Sequence, residues 1–315
     1  MAKTPRLVLL SVLLTVFFAT LIACGGAGGS LAGITGYVFI DYSNHRLSTT
    51  SDLNGTGWTA YGTNGSGVGQ FSNPYDLVRD SQGRYYTADS GNDRIVRMDD
   101  PSGAGWTTFG TSGNGVGQFS RPRGLFIDSQ DRIYISDASN GRIVRINDFT
   151  GAGWVSFGSA GSGVNQFSNA RGIHVDNDGT IFVADWSNHR IVRIDNMTGA
   201  NWTTFGSVGT GVNQMQFPSG ITRGLDNRLY FCDYSNNRIV RMDDITGSGW
   251  TTYSFNLVNP FKIRFDNLGR IYICGCGDSR ITRIDDMSGA NAITYGSLGT
   301  GVNGFNCPVD VVITY

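Results

Sequence analysis

The sequence predicts an all-β fold, a six-bladed β-propeller with four antiparallel strands in each blade. Three observations predict it: a long repeat, the lack of any helical period, and two chain ends that complement each other. An arginine recurs every 48 residues, and after 42 at the last interval, in the series Arg46, Arg94, Arg142, Arg190, Arg238 and Arg280. A repeat of about 40 to 50 residues without helical periodicity is typical of propellers, in which each repeat forms one blade.

The third repeat shows how one unit supplies four strands. β-branched and aromatic residues dominate residues 122–128, 132–137, 142–146 and 154–157, which we assign to strands A, B, C and D. Turn-forming residues separate these segments, and Asn140 between strands B and C tolerates the left-handed conformation. We expect strand A to be the innermost strand of each blade.

The two ends of the chain complement each other. Residues 36–61 supply strands B, C and D of blade 1, but no strand A precedes them. Residues 308–313 at the other end match strand A. The residues that begin strand A form the column Pro74, Pro122, Ala170, Pro218, Pro260 and Pro308. We therefore predict that the C-terminal strand joins blade 1 and closes the ring, which removes an open sheet edge.

The N-terminus has the pattern of an export signal. Lys3 and Arg6 precede an apolar run of 16 residues at 7–22, which is shorter than the roughly 20 that a membrane span needs. The run is followed by Cys24 in the order Leu-Ile-Ala-Cys-Gly, which resembles a bacterial lipobox. That resemblance implies cleavage before Cys24 and acylation of this residue, which would anchor the protein stably. The alternatives are an ordinary signal peptide or an uncleaved anchor.

These features predict three segments. We expect a lipoprotein signal peptide at residues 1–23, a lipidated cysteine with a flexible, glycine-rich tether at 24–32, and the propeller at 33–315. The expected location is the bacterial cell envelope, at the outer membrane or the outer face of the plasma membrane. The sequence does not decide between these two membranes.

The charge composition argues against a nucleic-acid partner. The chain has 24 basic and 25 acidic residues, a net charge of −1 and a pI near 6.3. Removal of residues 1–23 would also remove two basic residues and bring the net charge to −3. Phosphate binding depends on clustered basic side chains, and the sequence shows no basic patch.

Short motifs within the repeats resemble NHL repeats. Residues 188–191 read Asn-His-Arg-Ile, and residues 44–47 read Asn-His-Arg-Leu. Residues 109–124 contain the Phe-Gly, Gln-Phe and Pro-x-Gly elements that accompany this core. The resemblance covers about residues 33–315 and implies the propeller fold. It implies no single function, because the family includes RNA-binding proteins, receptor-kinase sensors, enzymes and scaffolds.

Residues that differ between blades are the better candidates for function. Propellers usually bind ligands on the face formed by the D–A and B–C connections. Here the varying columns place aromatic, arginine and aspartate side chains around the mouth of the central channel, where they could hold a peptide or a glycan. The alternative is ordinary variation of the rim. The candidate binding rim is Tyr42, Tyr75, Asp76, Arg123, Arg171, Trp186, Tyr234, Phe261, Lys262 and Asp310.

Residues that recur are expected to maintain the fold. An aspartate ends strand B five positions before the recurrent arginine, and we expect it to cap the turn beside that guanidinium. The alternative, a metal site in each blade, would scatter sites around the ring. His45 and His189 lie in opposite blades, and His174 lies within a strand A, so the three histidines form no expected metal cluster.

Four cysteines lie near the predicted seam of the ring. In an oxidising compartment a disulfide would join the seam, and we favour Cys276–Cys307. Cys232–Cys274 and Cys232–Cys276 remain open, as does a metal site formed by Cys274, Cys276 and Cys307. The connection at 254–259 is six residues shorter than its counterparts, which marks the rim near Lys262 as a place for a site.

The sequence predicts a binding or scaffold module for an envelope protein or a glycan. We expect a monomer anchored to the membrane by lipid, and we assign no catalytic residue, metal ligand or cofactor. The alternative is a metal-dependent enzyme that resembles the lyases and lactonases built on six blades, with Ca²⁺ or Zn²⁺ near the channel. Those enzymes use His, Glu, Asn or Asp ligands, whereas this sequence has no glutamate and no convergent histidines.

Overall fold

The computed structural model describes residues 33–315. The predicted signal peptide, Cys24 and the tether up to residue 32 lie outside the described residues. The described part is a six-bladed β-propeller, as the repeat predicts. Within this range no helix is both long enough and apolar enough to cross a membrane.

Each blade is a four-stranded antiparallel sheet in which strands A, B, C and D follow one another outwards. The strands of blades 2 to 4 are Pro74–Arg79, Tyr85–Asp89, Arg94–Met98 and Thr107–Phe109; Pro122–Ile127, Ile133–Asp137, Arg142–Ile146 and Val155–Phe157; and Ala170–Val175, Ile181–Asp185, Arg190–Ile194 and Thr203–Phe205. The strands of blades 5 and 6 are Pro218–Arg223, Leu229–Asp233, Arg238–Met242 and Thr251–Tyr253; and Pro260–Phe265, Ile271–Gly275, Arg280–Ile284 and Ile293–Tyr295.

Blade 1 closes the ring with the last strand of the chain. It consists of Pro308–Thr314 as strand A, followed outwards by Gly36–Asp41, Arg46–Thr50 and Thr59–Tyr61. Strands A and B pair antiparallel, with Gly36 opposite Thr314. The predicted closure is confirmed, and the innermost strand of blade 1 is therefore paired along its length.

The connections define two faces. The upper face carries the D–A and B–C connections, and the lower face carries the A–B and C–D connections. Four B–C turns contain a single 3-10 turn: Ser90–Asn92, Ala138–Asn140, Trp186–Asn188 and Tyr234–Asn236. Five D–A connections form two-residue parallel ladders: Thr63–Asn64 with Gln70–Phe71, Thr111–Ser112 with Gln118–Phe119, Ser159–Ala160 with Gln166–Phe167, Ser207–Val208 with Gln214–Met215, and Ser297–Leu298 with Gly304–Phe305. The shorter connection before blade 6 has no such ladder.

The D–A connections are held by apolar side chains packed between blades. Phe71 and Phe119 are fully buried, and their rings lie 5.0 Å and 5.4 Å from the rings of Trp106 and Trp154. Burying one such side chain contributes about 1.5–3 kcal/mol, and the motif recurs around the ring. This is why the Gln-Phe and Trp positions repeat in the sequence.

The recurrent aspartate and arginine hold the same connections through hydrogen bonds. Asp89 accepts hydrogen bonds from Asn92 Nδ2 and Arg94 Nε, both at 2.8 Å, and from the backbone N of Ser72 at 2.6 Å. Arg94 also donates to the carbonyl oxygen of Gln70 at 2.9 Å. The predicted contact with the guanidinium is confirmed. The predicted capping is wrong in detail, because the Asp89 carboxylate forms no capping hydrogen bond with the backbone of the B–C turn and binds the D–A connection at Ser72 instead.

Candidate functional site

The structure brings seven of the predicted rim residues together at the mouth of the channel on the upper face. Four are the second residues of strands A, and three lie in B–C turns, so six blades are needed to assemble them. We call this group the mouth cluster: Tyr42, Tyr75, Arg123, Arg171, Trp186, Tyr234 and Phe261.

The aromatic rings of the mouth cluster pack against one another and close the mouth. Ring centroids are 5.0 Å apart for Tyr75 and Phe261, 4.9 Å for Trp186 and Tyr234, and 6.0 Å for Tyr42 and Tyr75. The depression left between Tyr75, Phe261 and their neighbours has a volume of about 10 Å³. Such a space holds at most one water molecule, so the cluster presents a filled surface rather than a pocket.

Two arginines lie within this aromatic surface without a counterion. The guanidinium carbon of Arg171 is 3.1 Å from the ring centroid of Trp186, and that of Arg123 is 4.8 Å from the ring of Tyr75. Arg123 donates one hydrogen bond, to the Tyr75 hydroxyl at 3.2 Å. Neither arginine forms an ion pair with residues 33–315, and the Nε atoms of both are buried without an acceptor.

The charge of Arg171 persists despite its surroundings. Burial, and then the neighbouring Arg123, lower the pKa of Arg171 to about 10, with nearby tyrosines acting in the opposite direction. The guanidinium therefore remains protonated at neutral pH. The mouth carries two positive charges that the described residues do not neutralise.

The three other predicted rim residues lie one layer below the mouth cluster. Asp76, Lys262 and Asp310 are 2%, 5% and 0% exposed and face the channel axis. The sequence predicted them on the rim, where a ligand would contact them. The structure instead pairs them with each other and with Arg264, because six strands A converge here and leave no solvent for separate charges.

This buried network pairs two carboxylates with two cations and is densely hydrogen-bonded. Lys262 Nζ lies 2.7 Å from Asp76 Oδ2, and Arg264 bonds Asp310 at 2.6 and 2.9 Å and Asp76 at 3.2 Å. Asp310 also accepts the backbone N–H of Leu77 at 2.9 Å. The sequence analysis missed Arg264, although its position two residues after Lys262 puts both cations on one face of a strand.

The pKa values of the Asp76 and Asp310 carboxyl groups shift in opposite directions. Burial raises the pKa of Asp76 to about 7; the charge of Lys262 opposes this shift, and the neighbouring Asp310 adds to it. Burial alone would raise the pKa of Asp310 as well, but Arg264 and Lys262 hold it below its usual range. The network therefore keeps Asp310 ionised, whereas Asp76 is partly protonated near neutral pH.

Glycines close the opposite side of the channel at the same level. A Cβ atom on Gly124 would lie 1.9 Å from the carbonyl oxygen of Arg171, and one on Gly172 would lie 2.2 Å from that of Ser219. The strands A of blades 3 to 5 thus touch through their backbones, and the charged side chains fill the space on the other side. Together they block the channel beneath the mouth cluster.

The cysteines divide into a disulfide and two thiols. Cys276 and Cys307 are joined by an S–S bond of 1.99 Å, which ties the B–C turn of blade 6 to the residue before the closing strand. Cys232 and Cys274 are free and buried. Within residues 33–315 no group of three or more His, Cys, Asp or Glu side chains is placed to hold a metal ion.

The histidines have separate local partners. His45 Nδ1 accepts the backbone N–H of Asn73 at 3.0 Å, and His189 Nδ1 accepts that of Phe217 at 3.1 Å. His174 Nε2 lies 3.1 Å from Asp176, within a strand A. The first two histidines therefore stabilise D–A connections.

The upper face has a further feature that the sequence analysis did not single out. Valines at the tips of five D–A connections are 69–78% exposed: Val68, Val116, Val164, Val212 and Val302. Their signal in the sequence is a recurrent Gly-Val in otherwise polar loops.

One repeat of the chain matches a known family of sequence repeats. Residues 167–194, which span strands A to C of blade 4, match the family model for the NHL repeat. Blade 4 therefore matches the NHL repeat, within a six-bladed β-propeller. A search of curated protein sequences finds no match to this chain.

Solved structures share its fold at low sequence identity. A streptogramin B lyase has a TM-score of 0.60 at 17% identity and covers 89% of this chain and 90% of its own. A catalytically inactive virginiamycin B lyase from Staphylococcus aureus, solved with Quinupristin, has a TM-score of 0.56 at 19% identity, with coverage of 84% and 85%. A chain of a nidogen/laminin complex has a TM-score of 0.69 at 16% identity, with coverage of 89% and 98%. At these identities the likeness shows that the chain shares the propeller fold of these proteins, and a shared fold does not imply a shared function.

Proposed function

We propose that this protein is a lipid-anchored, extracytoplasmic binding module that docks an envelope protein on its upper face. The observation that carries the proposal is the pair Arg123 and Arg171, which lie in an aromatic surface without a counterion. A carboxylate of the partner would neutralise them.

The composition and shape of the mouth cluster favour a protein over a small ligand. Tyrosine, tryptophan and arginine are the side chains that dominate binding energy at protein interfaces. In the mouth cluster two tyrosines and both arginines are partly exposed, whereas Tyr75, Trp186 and Phe261 are only 6–8% exposed and support them. The depression at the mouth is only about 10 Å³, so a partner must lie on the surface rather than enter it. Charge-assisted hydrogen bonds from stacked guanidinium groups to a carboxylate are strong and directional. A glycan that bears carboxylates is the alternative partner with the same chemistry.

The anchoring part of the proposal rests on the sequence around Cys24. The apolar run at 7–22 and the lipobox-like residues predict export and acylation. Replacing Cys24 by serine should move the protein from the membrane fraction to the soluble fraction and abolish labelling by fatty acid. Unchanged membrane association and labelling would refute the lipid anchor.

Site-specific photo-crosslinking tests the docking surface in intact cells. A crosslinker at Tyr42, in the full-length protein, should capture a discrete envelope protein. The double variant Arg123→Gln/Arg171→Gln removes both positive charges and should lose at least about nine-tenths of this adduct. A tenfold loss of affinity corresponds to about 1.4 kcal/mol of binding free energy.

The matched control is Arg280→Gln. Arg280 is exposed on the same face and lacks an ion pair within residues 33–315, since Gly275 replaces the usual aspartate. The control should keep the adduct. Equal loss in both variants would refute docking through the mouth cluster. Ca²⁺ or Zn²⁺ retained by the purified protein, with no adduct at Tyr42, would favour the lyase or lactonase-like alternative instead.

A further inference from the structure

The C–D turn of each blade places one side chain against the preceding blade on the lower face. In blade 3 this residue is Phe149, whose ring lies 5.4 Å from that of Tyr86 and 6.0 Å from that of Phe109, while Arg97 covers it at 5.5 Å. Phe149, Tyr86 and Arg97 therefore fill the space between blades 2 and 3, beside Phe109. The equivalent turn residues are Leu53, Pro101, Phe149, Met197, Ile245 and Met287.

All three positions carry small residues at the junction between blades 1 and 2. Pro101 stands in the place of Phe149, Val38 in the place of Tyr86, and Thr49 in the place of Arg97. At the other junctions the strand B position is aromatic, in the series Tyr86, Tyr134, Phe182, Tyr230 and Tyr272. The strand C position is arginine, in the series Arg97, Arg145, Arg193, Arg241 and Arg283.

The missing volume opens a groove. The space between blades 1 and 2 is about 540 Å³, whereas the corresponding space between blades 5 and 6, which contains Met287, is about 240 Å³. Sites for small ligands are typically about 300–1,000 Å³. The groove therefore has the size of a ligand site, and it exists because of residues specific to this junction.

The lining combines aromatic rings with hydroxyl groups. Tyr37, Tyr61 and Tyr85 line the groove, as do the hydroxyl-bearing residues Thr35, Thr49, Thr50, Ser51, Thr59 and Ser102. All six hydroxyl groups already form hydrogen bonds within the protein and offer a ligand mainly their acceptor lone pairs. Within the described part of the chain the phenol groups of Tyr61 and Tyr85 have no hydrogen-bond partner and can donate to a ligand.

One charged side chain lines the groove. Asp100 accepts hydrogen bonds from the backbone N and the hydroxyl group of Ser102 through one carboxylate oxygen and forms no ion pair with residues 33–315. Tyr61 lies against the turn that follows Asp100, because a Cβ atom on Gly103 would lie 2.0 Å from the Tyr61 hydroxyl oxygen. No basic side chain is among the lining residues; the guanidinium of Arg79 stacks on the Tyr85 ring, 4.9 Å from its centroid.

We propose that the groove between blades 1 and 2 binds a neutral sugar ring of a glycan. Aromatic rings pack against the apolar face of such a ring, and hydroxyl groups with a single free carboxylate bond its hydroxyls. The volume admits more than one ring. This site lies on the lower face and is separate from the docking surface of the mouth cluster.

Saturation-transfer NMR on the full-length protein in detergent tests the proposal, with maltotriose, cellotriose and chitotriose as probes. At least one trisaccharide should receive magnetisation from the protein. Pro101→Phe, which copies Phe149 and fills the groove, should weaken its binding at least about tenfold, and Asp100→Asn should also weaken it. Ile245→Phe places the same ring at the equivalent turn of blade 5 and should leave binding unchanged.

Three results would overturn the proposal. They are the absence of trisaccharide contact at millimolar concentration, equal trisaccharide binding by Pro101→Phe and Ile245→Phe, or binding of tetramethylammonium without any trisaccharide, which would indicate a site for an organic cation. Asp100→Asn keeps the test decisive if Pro101→Phe does not fold, because Asp100 is exposed and lies in a turn. Crosslinking at Tyr42 should be the same in Pro101→Phe and wild type, so failure of one proposal leaves the other standing.

Discussion

Replacing Asp310 by asparagine should destabilise the propeller strongly. Asp310 is fully buried, and its carboxylate accepts two hydrogen bonds from Arg264, at 2.6 and 2.9 Å, and one from the backbone of Leu77. Asparagine is nearly isosteric, but it removes the negative charge. Arg264 and Lys262 would then share Asp76 as their only anionic partner in the network.

The size of the effect follows from the burial of the network. Breaking a buried ion pair by removing one partner costs about 3–5 kcal/mol, because the remaining charge stays desolvated. For a domain of this size each kcal/mol lowers the Tm by about 2–4 °C, so the expected decrease is on the order of 10 °C. Thermal and urea unfolding followed by circular dichroism would measure both quantities.

Two further variants isolate the charge effect. Asp99→Asn changes an exposed aspartate and should alter stability by less than about 0.5 kcal/mol. The double variant Asp310→Asn/Lys262→Met removes one charge of each sign, so its cost should be at least about 1 kcal/mol below the sum of the single costs. A cost below about 1 kcal/mol for Asp310→Asn, or strictly additive costs, would refute the reasoning.

Two other predictions concern Asp76 and the seam. Because burial raises the pKa of Asp76 to about 7, the folded state binds a proton that the unfolded state releases above about pH 4. This stabilisation is complete below that pH and is lost as the pH rises through 7. As the pH falls from about 8 to 5, the wild type should therefore gain free energy of unfolding relative to Asp76→Asn, by up to about 1.4 kcal/mol per pH unit. Urea unfolding of both proteins at several pH values measures this difference, and a gain as the pH rises would contradict the prediction. The disulfide closes a loop with a sequence separation of 31 residues, so Cys276→Ser/Cys307→Ser should lower the free energy of unfolding by about 3–4 kcal/mol. Reductant should destabilise wild type but not this variant; equal urea midpoints for wild type and variant without reductant would show that the bond contributes nothing.

The fold was largely predictable because its determinants are local and repeated. The recurrent aspartate and arginine lie on neighbouring strands of one blade, so their spacing along the chain reports their contact directly, as Asp89 and Arg94 show. The closing strand was predictable for a related reason. Residues 308–313 match a column that blade 1 lacks, and an unpaired innermost strand would leave backbone groups without partners.

The site was predictable only in part. Columns in the sequence identified Arg171 and Trp186 as varying residues at the mouth, and the structure stacks them at 3.1 Å. The same columns did not show that Asp76, Lys262 and Asp310 are buried, because that depends on how closely six strands approach the axis. The disulfide between Cys276 and Cys307 is the pairing that the sequence favoured among several.

The sequence by itself determined the number of blades, their strand order and the closure of the ring, since each follows from spacing along the chain. Only the tertiary structure decided which charges neutralise one another and where space remains. The strands A of blades 3 and 4 meet through their backbones at Gly124, while Lys262 and Arg264 fill the other side of the channel. The groove beside Pro101 likewise depends on three positions in two blades, which become neighbours only when the blades pack.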